Sequence, residues 1–250
     1  GRFRLDIMSE LPGLSNNAEA ASVALWRTHQ KFFASAGEFD GLELLGLFVH
    51  GPGQIYSRRP INSIADMRSM KMRIGGGVMG TIADRIGCTA VQAPAPKVYE
   101  MLQQGVVDGV FLPMLEQKYL RLSEVTSHIV TIPGGLYASS FSFFANPDFM
   151  DSLEPRDRDA IRKVSGEKLS ALAGRSWAAA DQAGYEAARQ AGVHISELTE
   201  TDPMTIEFRD LLSNMEDEWV QQVADTRVDA KAALAYFKEQ KNSLLNARNP

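Results

Sequence analysis

The chain has 250 residues, of which 44% are hydrophobic and 23% are charged, so it has the composition of a globular protein with enough apolar residues for a core. Its net charge of −5 excludes the broad basic surface that binds nucleic acid, and no nucleic-acid partner is expected. The single cysteine, Cys88, excludes an internal disulfide.

The first predicted elements are one helix and one buried strand. Apolar residues recur at helical spacing over residues 18–36, and Gly37 closes this pattern. Residues 44–49 form a nearly continuous apolar run, which is typical of a buried strand. The Gly-Pro-Gly triplet at 51–53 then predicts a turn or a hinge.

The middle of the chain alternates short strands with short helices. This alternation favours α/β layers around a substantially parallel sheet. The predicted strands are residues 71–74, 89–92 and 106–112, and the predicted helices are residues 78–86 and 97–104.

The C-terminal half opens with a second long apolar strand, predicted over residues 136–144. Residues 155–190 then contain no further proline after Pro155 and predict one helix. A helix of that length would span ~50 Å and would have to cross more than one domain. A strand over 193–198 and helices over 203–225 and 228–245 complete the prediction.

Three segments, in this order, carry a resemblance to a known family. The first contains R-P-I at 59–61, D-M at 66–67 and K-M-R-I-G-G at 71–76. The second, and the most specific, reads P-K-V-Y-E-M-L-Q-Q-G-V-V-D-G over 96–109, and the third runs over 133–146 and ends in L-E-P at 153–155. Together they resemble the solute-binding proteins of TRAP (tripartite ATP-independent periplasmic) transporters.

This resemblance implies a two-domain α/β fold of the periplasmic binding-protein type, with a cleft between the domains and one long domain-spanning helix. Domain I is expected to contain residues 1–50 and 138–176, and domain II residues 51–137 and 177–250. By the same comparison, the N-terminal part of domain I is expected to be missing from the sequence.

The resemblance also implies a periplasmic receptor that binds a small organic acid, including dicarboxylates, and delivers it to integral-membrane permease subunits. It implies no catalytic residue, no metal and no cofactor. The sequence agrees, because its glycines match no phosphate-binding loop and its four histidines are too scattered for a metal pattern.

Arg73 is the principal candidate for binding the solute. It ends a predicted strand and is followed by Gly75 and Gly76, which would let the backbone approach a ligand. A guanidinium matches the planar geometry of a carboxylate, and the resemblance implies that this arginine clamps a solute carboxylate. The alternative is a structural ion pair with one of three acidic residues, Asp66, Asp84 or Asp108.

Two positions depart from the family's pattern. Leu112 stands where an asparagine often contacts the carboxylate, and Gly53 stands where a second arginine is common. A more apolar pocket is therefore one expectation, with candidate side chains at Phe48, Phe111, Met114, Tyr137 and Phe141. Glu116 is a candidate partner for an ammonium group of the solute, the alternative being a solvated helix carboxylate near Lys118.

Two further candidates lie at the predicted hinge. His50 either hydrogen-bonds the solute or is satisfied by backbone groups at the end of its strand. Ser140 is expected on the cleft face of the hinge strand, while Trp177 in the long helix is expected to pack in the core.

Two other functions stay open at this point. The first is a receptor for an amine-bearing or neutral solute, which Leu112 and Gly53 favour. The second is an α/β enzyme that acts on a carboxylated metabolite, with Glu116 and His50 as the acid/base pair.

Overall fold

The computed structural model describes residues 2–247, which fold around two β-sheets. The strands are β1 (Glu43–Val49), β2 (Gly53–Ser57), β3 (Lys71–Ile74), β4 (Thr89–Gln92), β5 (Gly109–Pro113), β6 (His128–Thr131), β7 (Ser140–Ala145) and β8 (His194–Glu197). A six-stranded sheet has the order β4-β3-β5-β2-β6-β8, and a two-stranded sheet pairs β1 with β7.

Helices pack around both sheets, so the predicted α/β class is confirmed. The first helix ends at Thr28 and is followed directly by a wider π turn and then a 3-10 turn that reaches Ala36. Gly37 ends this helical segment in the left-handed conformation. The helices are α1 (Ala18–Thr28), α2 (Ile64–Met67), α3 (Val78–Ile86), α4 (Val98–Gln103), α5 (Glu116–Tyr119), α6 (Pro147–Ser152), α7 (Pro155–Val164), α8 (Glu167–Gln190), α9 (Pro203–Leu212), α10 (Met215–Gln222) and α11 (Ala230–Asn246).

The six-stranded sheet is mixed, whereas a substantially parallel sheet was expected. β3 runs parallel to β4 and β5, and β6 runs parallel to β8. However, β2 lies between β5 and β6 and is antiparallel to both. Every residue of β2 and β5 is buried, so these two strands form the centre of the sheet.

The single helix predicted over 155–190 is divided in two. Gly166 interrupts it with a positive φ of 71°, and its N–H donates to the carbonyl of Leu45 instead of continuing the helix. A Cβ at this position would lie 3.2 Å from the ring of Trp26. The break therefore results from contact with distant parts of the chain.

The remaining long helix, α8, still spans both sheets. Its 24 residues extend over ~36 Å. Gly174 lies against the backbone of Glu19 in α1, and Gly184 lies against the backbone of Met114 at the end of β5. The expected domain-spanning helix is therefore confirmed in this shorter form. Among residues 2–247, no helix combines the length and the apolar character needed to cross a membrane.

Candidate solute-binding site

Arg73 is buried at the end of β3, with only 3% of its surface exposed. Its Nε and Nη2 donate to one acceptor, the carbonyl of Ala93, at 2.8 and 2.6 Å. No other side-chain hydrogen bond and no ion pair joins this guanidinium to the rest of the described chain. Burial lowers the pKa of Arg73 because the cation is removed from water.

Within the described residues, Arg73 forms no ion pair with Asp66, Asp84 or Asp108, and two of these three have other roles. Asp66 accepts hydrogen bonds from the backbone of Asn62 and Ser63 and caps α2. The Oδ2 atom of Asp108 accepts from the backbone N–H of Lys71 at 2.8 Å. The guanidinium of Arg73 therefore keeps donors available for a ligand.

Glu116 and Tyr137 lie within the electrostatic range of Arg73. Burial raises the pKa of Glu116, and the positive charge of Arg73 partly opposes this rise. Burial also raises the pKa of the Tyr137 hydroxyl, which donates to the carbonyl of Phe111 at 3.1 Å. The fold thus places three predicted site residues, Arg73, Glu116 and Tyr137, where their charges interact.

Tyr137 also explains one departure from the family pattern. A Cβ built on Gly53 would lie 2.1 Å from the Tyr137 ring. The aromatic ring occupies the space that a side chain at position 53 would need. An arginine at this position is incompatible with the observed placement of Tyr137.

His50 lies at the end of β1 in contact with aromatic rings. It is 4% exposed, and its Nδ1 donates to the carbonyl of Gly51. Burial lowers the pKa of His50 to about 4, so the imidazole is neutral at pH 7. Its ring centroid lies 5.5 Å from that of Tyr137 and 5.7 Å from that of Trp177.

Trp177 and Glu10 were not predicted as site residues. Trp177 is half-buried and stacks on Phe141, with ring centroids 5.8 Å apart and an interplanar angle of 16°. The Oε1 atom of Glu10 accepts from the N–H and the hydroxyl of Ser140 at 2.8 and 2.7 Å. The Ser140 hydroxyl is therefore engaged in positioning the start of β7. No local sequence signal distinguishes either residue, since each becomes informative only through its long-range contacts.

The other predicted site residues lie in the interior or shape the backbone. Phe111, Leu112 and Met114 are 0%, 6% and 2% exposed and pack in the core. A Cβ on Gly75 would lie 2.8 Å from the end of Met79 and 3.7 Å from Nη2 of Arg73. Gly76 has a φ of +102°, a conformation that L side chains rarely adopt.

Asp181 of the long helix α8 contacts the backbone next to this site. Its Oδ1 accepts from the N–H of Leu115 at 2.9 Å, and its Oδ2 lies directly against Gly51. A cavity of about 240 Å³ borders the carboxyl, and burial raises the pKa of Asp181 to about 7. One carboxyl thus contacts both the hinge and the residue that precedes Glu116.

Comparison with known proteins decides the family. Residues 5–222 match the family model of the bacterial extracellular solute-binding proteins of family 7 (DctP). The chain belongs to this family. Its members are solute-binding receptors of TRAP transporters, so the protein is a periplasmic receptor and not an enzyme.

Solved structures agree with this assignment. A TRAP periplasmic solute-binding protein from Bordetella bronchiseptica with bound (R)- and (S)-mandelate is 32% identical and superposes with a TM-score of 0.92, over 98% of this chain and 77% of that one. A Rhodoferax ferrireducens TRAP protein in complex with benzoate is 27% identical with a TM-score of 0.90, over 99% and 77%. The two-domain TRAP receptor fold is therefore confirmed.

One curated relative also matches along nearly the whole chain. The outer membrane transporter protein TsaT of Comamonas testosteroni is 28% identical over 243 residues, which are 96% of this chain and 70% of that protein.

Proposed function

We propose that this family member binds a small organic acid through its carboxylate at Arg73 and delivers it to the membrane permease of a TRAP transporter. The observation that carries the proposal is a buried guanidinium whose described partners include a carbonyl but no carboxylate. A buried charge without a counterion is costly, and a ligand carboxylate would offset that cost.

The ligands of similar structures support the carboxylate. The Bordetella protein holds mandelate and the Rhodoferax protein holds benzoate, and both molecules are carboxylic acids. Dicarboxylates were included among the expected solutes, and their binding stays a prediction. Glu116 keeps the amine-bearing solute as a competing candidate, since its half-buried carboxylate also forms no ion pair within the described residues.

The division into moving domains is part of the proposal. We place the crossings between residues 50 and 51, between 137 and 138, and within α8 between 176 and 177. The sheets support the first two, because β1 pairs with β7 while β2 belongs to the six-stranded sheet. α11 packs against α1, so residues assigned to different domains also contact each other there. Residues 1 and 248–250 of this division lie outside the described residues.

The test is the affinity of Arg73→Met for a carboxylate solute, measured by calorimetry. Losing the charge-assisted contact should weaken binding by about 2–5 kcal/mol, which is roughly 30-fold to several thousand-fold. Arg68→Met, at an exposed arginine nearby in sequence, should bind as the parent does. Uptake into vesicles that hold the permease should require both the receptor and Arg73.

Unchanged carboxylate affinity in Arg73→Met would contradict the proposal. Affinity for amines that is lost in Glu116→Gln would favour the amine-bearing solute instead.

A further inference from the structure

Four aromatic side chains converge next to the hinge, and we call them the aromatic wall: His50, Tyr137, Phe141 and Trp177. His50 contacts all three other rings, at centroid distances of 5.5, 6.1 and 5.7 Å. The four residues come from the end of β1, the crossing segment before β7, β7 itself and α8. No single element positions them, so the wall exists only in the folded chain.

Phe141 is the open part of this wall. Its ring stacks on Phe48 with centroids 5.2 Å apart and on Trp177 with centroids 5.8 Å apart, and both interplanar angles are below 20°. Despite these contacts, Phe141 is 39% exposed. Aromatic pairs gain more than area burial alone in offset-stacked and in edge-to-face arrangements, so the exposed part of the Phe141 ring favours contact with another aromatic ring.

Tyr137 joins the aromatic wall to the cation. Its ring meets His50 edge-on at an interplanar angle of 89°, and its hydroxyl is hydrogen-bonded to Phe111 on β5, the strand next to β3. The charge of Arg73 acts on this same hydroxyl. A solute that contacts both the wall and Arg73 must therefore have a flat apolar part and an anionic end.

Arg73 is the only buried arginine among residues 2–247, so the site offers one guanidinium to one carboxylate. The charge of Glu116 acts on Arg73 and on Tyr137. A solute with one carboxylate would balance Arg73, whereas a second carboxylate would be repelled by Glu116.

We infer that the solute is an aromatic monocarboxylate whose ring packs on Phe141 and Trp177 while its carboxylate binds Arg73. This inference rests on the proposed function, since it takes the carboxylate at Arg73 from there. It adds the ring and the limit of one carboxylate.

Four probes separate these features in calorimetric titrations of the complete chain: phenylacetate, cyclohexylacetate, 2-phenylethanol and succinate. Phenylacetate should bind at least about 5-fold more tightly than cyclohexylacetate, because only the aromatic ring gains aromatic–aromatic contacts with the wall. Succinate and 2-phenylethanol should bind more weakly than both, since the first adds a charge and the second lacks one.

Variants assign the ring contact to the wall. Phe141→Leu and Trp177→Leu should each weaken phenylacetate binding by about 5- to 10-fold and cyclohexylacetate binding much less. Phe144→Leu is the matched control, because Phe144 is also on β7 and 53% exposed but is not part of the aromatic wall. Unchanged melting temperatures would show that the variants remain folded.

The outcomes separate this inference from the proposed function. Succinate binding that depends on Arg73 and exceeds phenylacetate binding would overturn the aromatic solute and leave the proposed function intact. Equal binding of 2-phenylethanol and phenylacetate would overturn the role of Arg73 and, with it, the monocarboxylate. Equal binding of phenylacetate and cyclohexylacetate, or binding of none of the probes, would overturn the aromatic wall as the recognition surface.

Discussion

The two sheets bury their strands in different ways. In the six-stranded sheet, the central strands β2 and β5 are buried along their whole length. In the two-stranded sheet, Phe143 and Phe144 of β7 are 41% and 53% exposed. The larger sheet is stabilised mainly by its own neighbouring strands, whereas a pair of strands is marginal alone and needs other elements.

Helices supply hydrogen-bond partners for the edge of the smaller sheet. On the edge of β1 that faces away from β7, the N–H of Leu47 donates to the hydroxyl of Ser170, and the N–H of Val49 donates to that of Ser22. These serines belong to α8 and α1 and take the place of a neighbouring strand. α8 is therefore a structural partner of β1 as well as a connector between the sheets.

The strongest way to break this arrangement is to add a methyl group at the two helix glycines. A Cβ at Gly184 would lie 1.9 Å from the carbonyl oxygen of Met114, and one at Gly174 would lie 2.5 Å from Cα of Glu19. Glycine to alanine normally favours a helix, so any loss measures the clash. We expect Gly184→Ala and Gly174→Ala each to lower the free energy of unfolding by about 3 kcal/mol in urea titrations.

Hydrogen exchange should then assign each loss to one sheet. Gly174→Ala should speed exchange in β1, and Gly184→Ala should speed it near β5. Ala179→Leu, on the exposed face of the same helix, should change stability by at most about 0.5 kcal/mol. If both variants speed amide hydrogen exchange by the same factor throughout the chain, the two regions unfold as one unit.

On the side of the larger sheet, Asp181 of α8 accepts a hydrogen bond from Leu115, and the titration of its carboxyl tests this contact. Its pKa is raised to about 7 in the folded protein, against ~3.9 in an unfolded chain. The folded state therefore binds the proton more tightly, so this contribution to stability is complete below pH ~4 and is lost as the pH rises through 7. Asp181→Asn keeps an oxygen acceptor for Leu115 and should be more stable than the parent at pH 8 by about 2 kcal/mol.

The measurement is the free energy of unfolding from pH 4 to pH 8. The advantage of Asp181→Asn should grow with pH, while Glu186→Gln, an exposed change on the same helix, should follow the parent. An advantage that does not change with pH would show that the Asp181 carboxyl titrates alike in both states.

The smallest expected effect concerns the edge of β1. Ser170→Ala removes the partner of the Leu47 N–H, and Ser170 is fully buried. An unsatisfied buried donor should cost about 1 kcal/mol or slightly more. Ser176→Ala is the control, because this hydroxyl lies on the same helix and bonds only within it. If the two variants have equal stability, α8 does not stabilise this strand edge.

Local signals determined much of the fold in advance. The predicted bounds of β3, α3 and β4 agree with the structure, because apolar periodicity defines them and Gly87 ends α3 in the left-handed conformation. The prediction missed β6, whose four residues carry no clear pattern and are defined by pairing with β2 and β8. It also placed one helix across Gly166, where contacts with Leu45 and Trp26 end it.

Local signals and long-range contacts also contributed differently to the site. Arg73 could be singled out from the sequence, because a guanidinium at a strand end beside three glycines has recognisable chemistry within a few residues. That Arg73 lacks a carboxylate partner, that Tyr137 fills the space at Gly53, and that Trp177 stacks on Phe141 were decided only by the tertiary structure. The physical reason is that short-range sterics and hydrogen bonds act between chain neighbours, whereas these contacts join elements far apart in sequence and form only when the sheets and α8 pack.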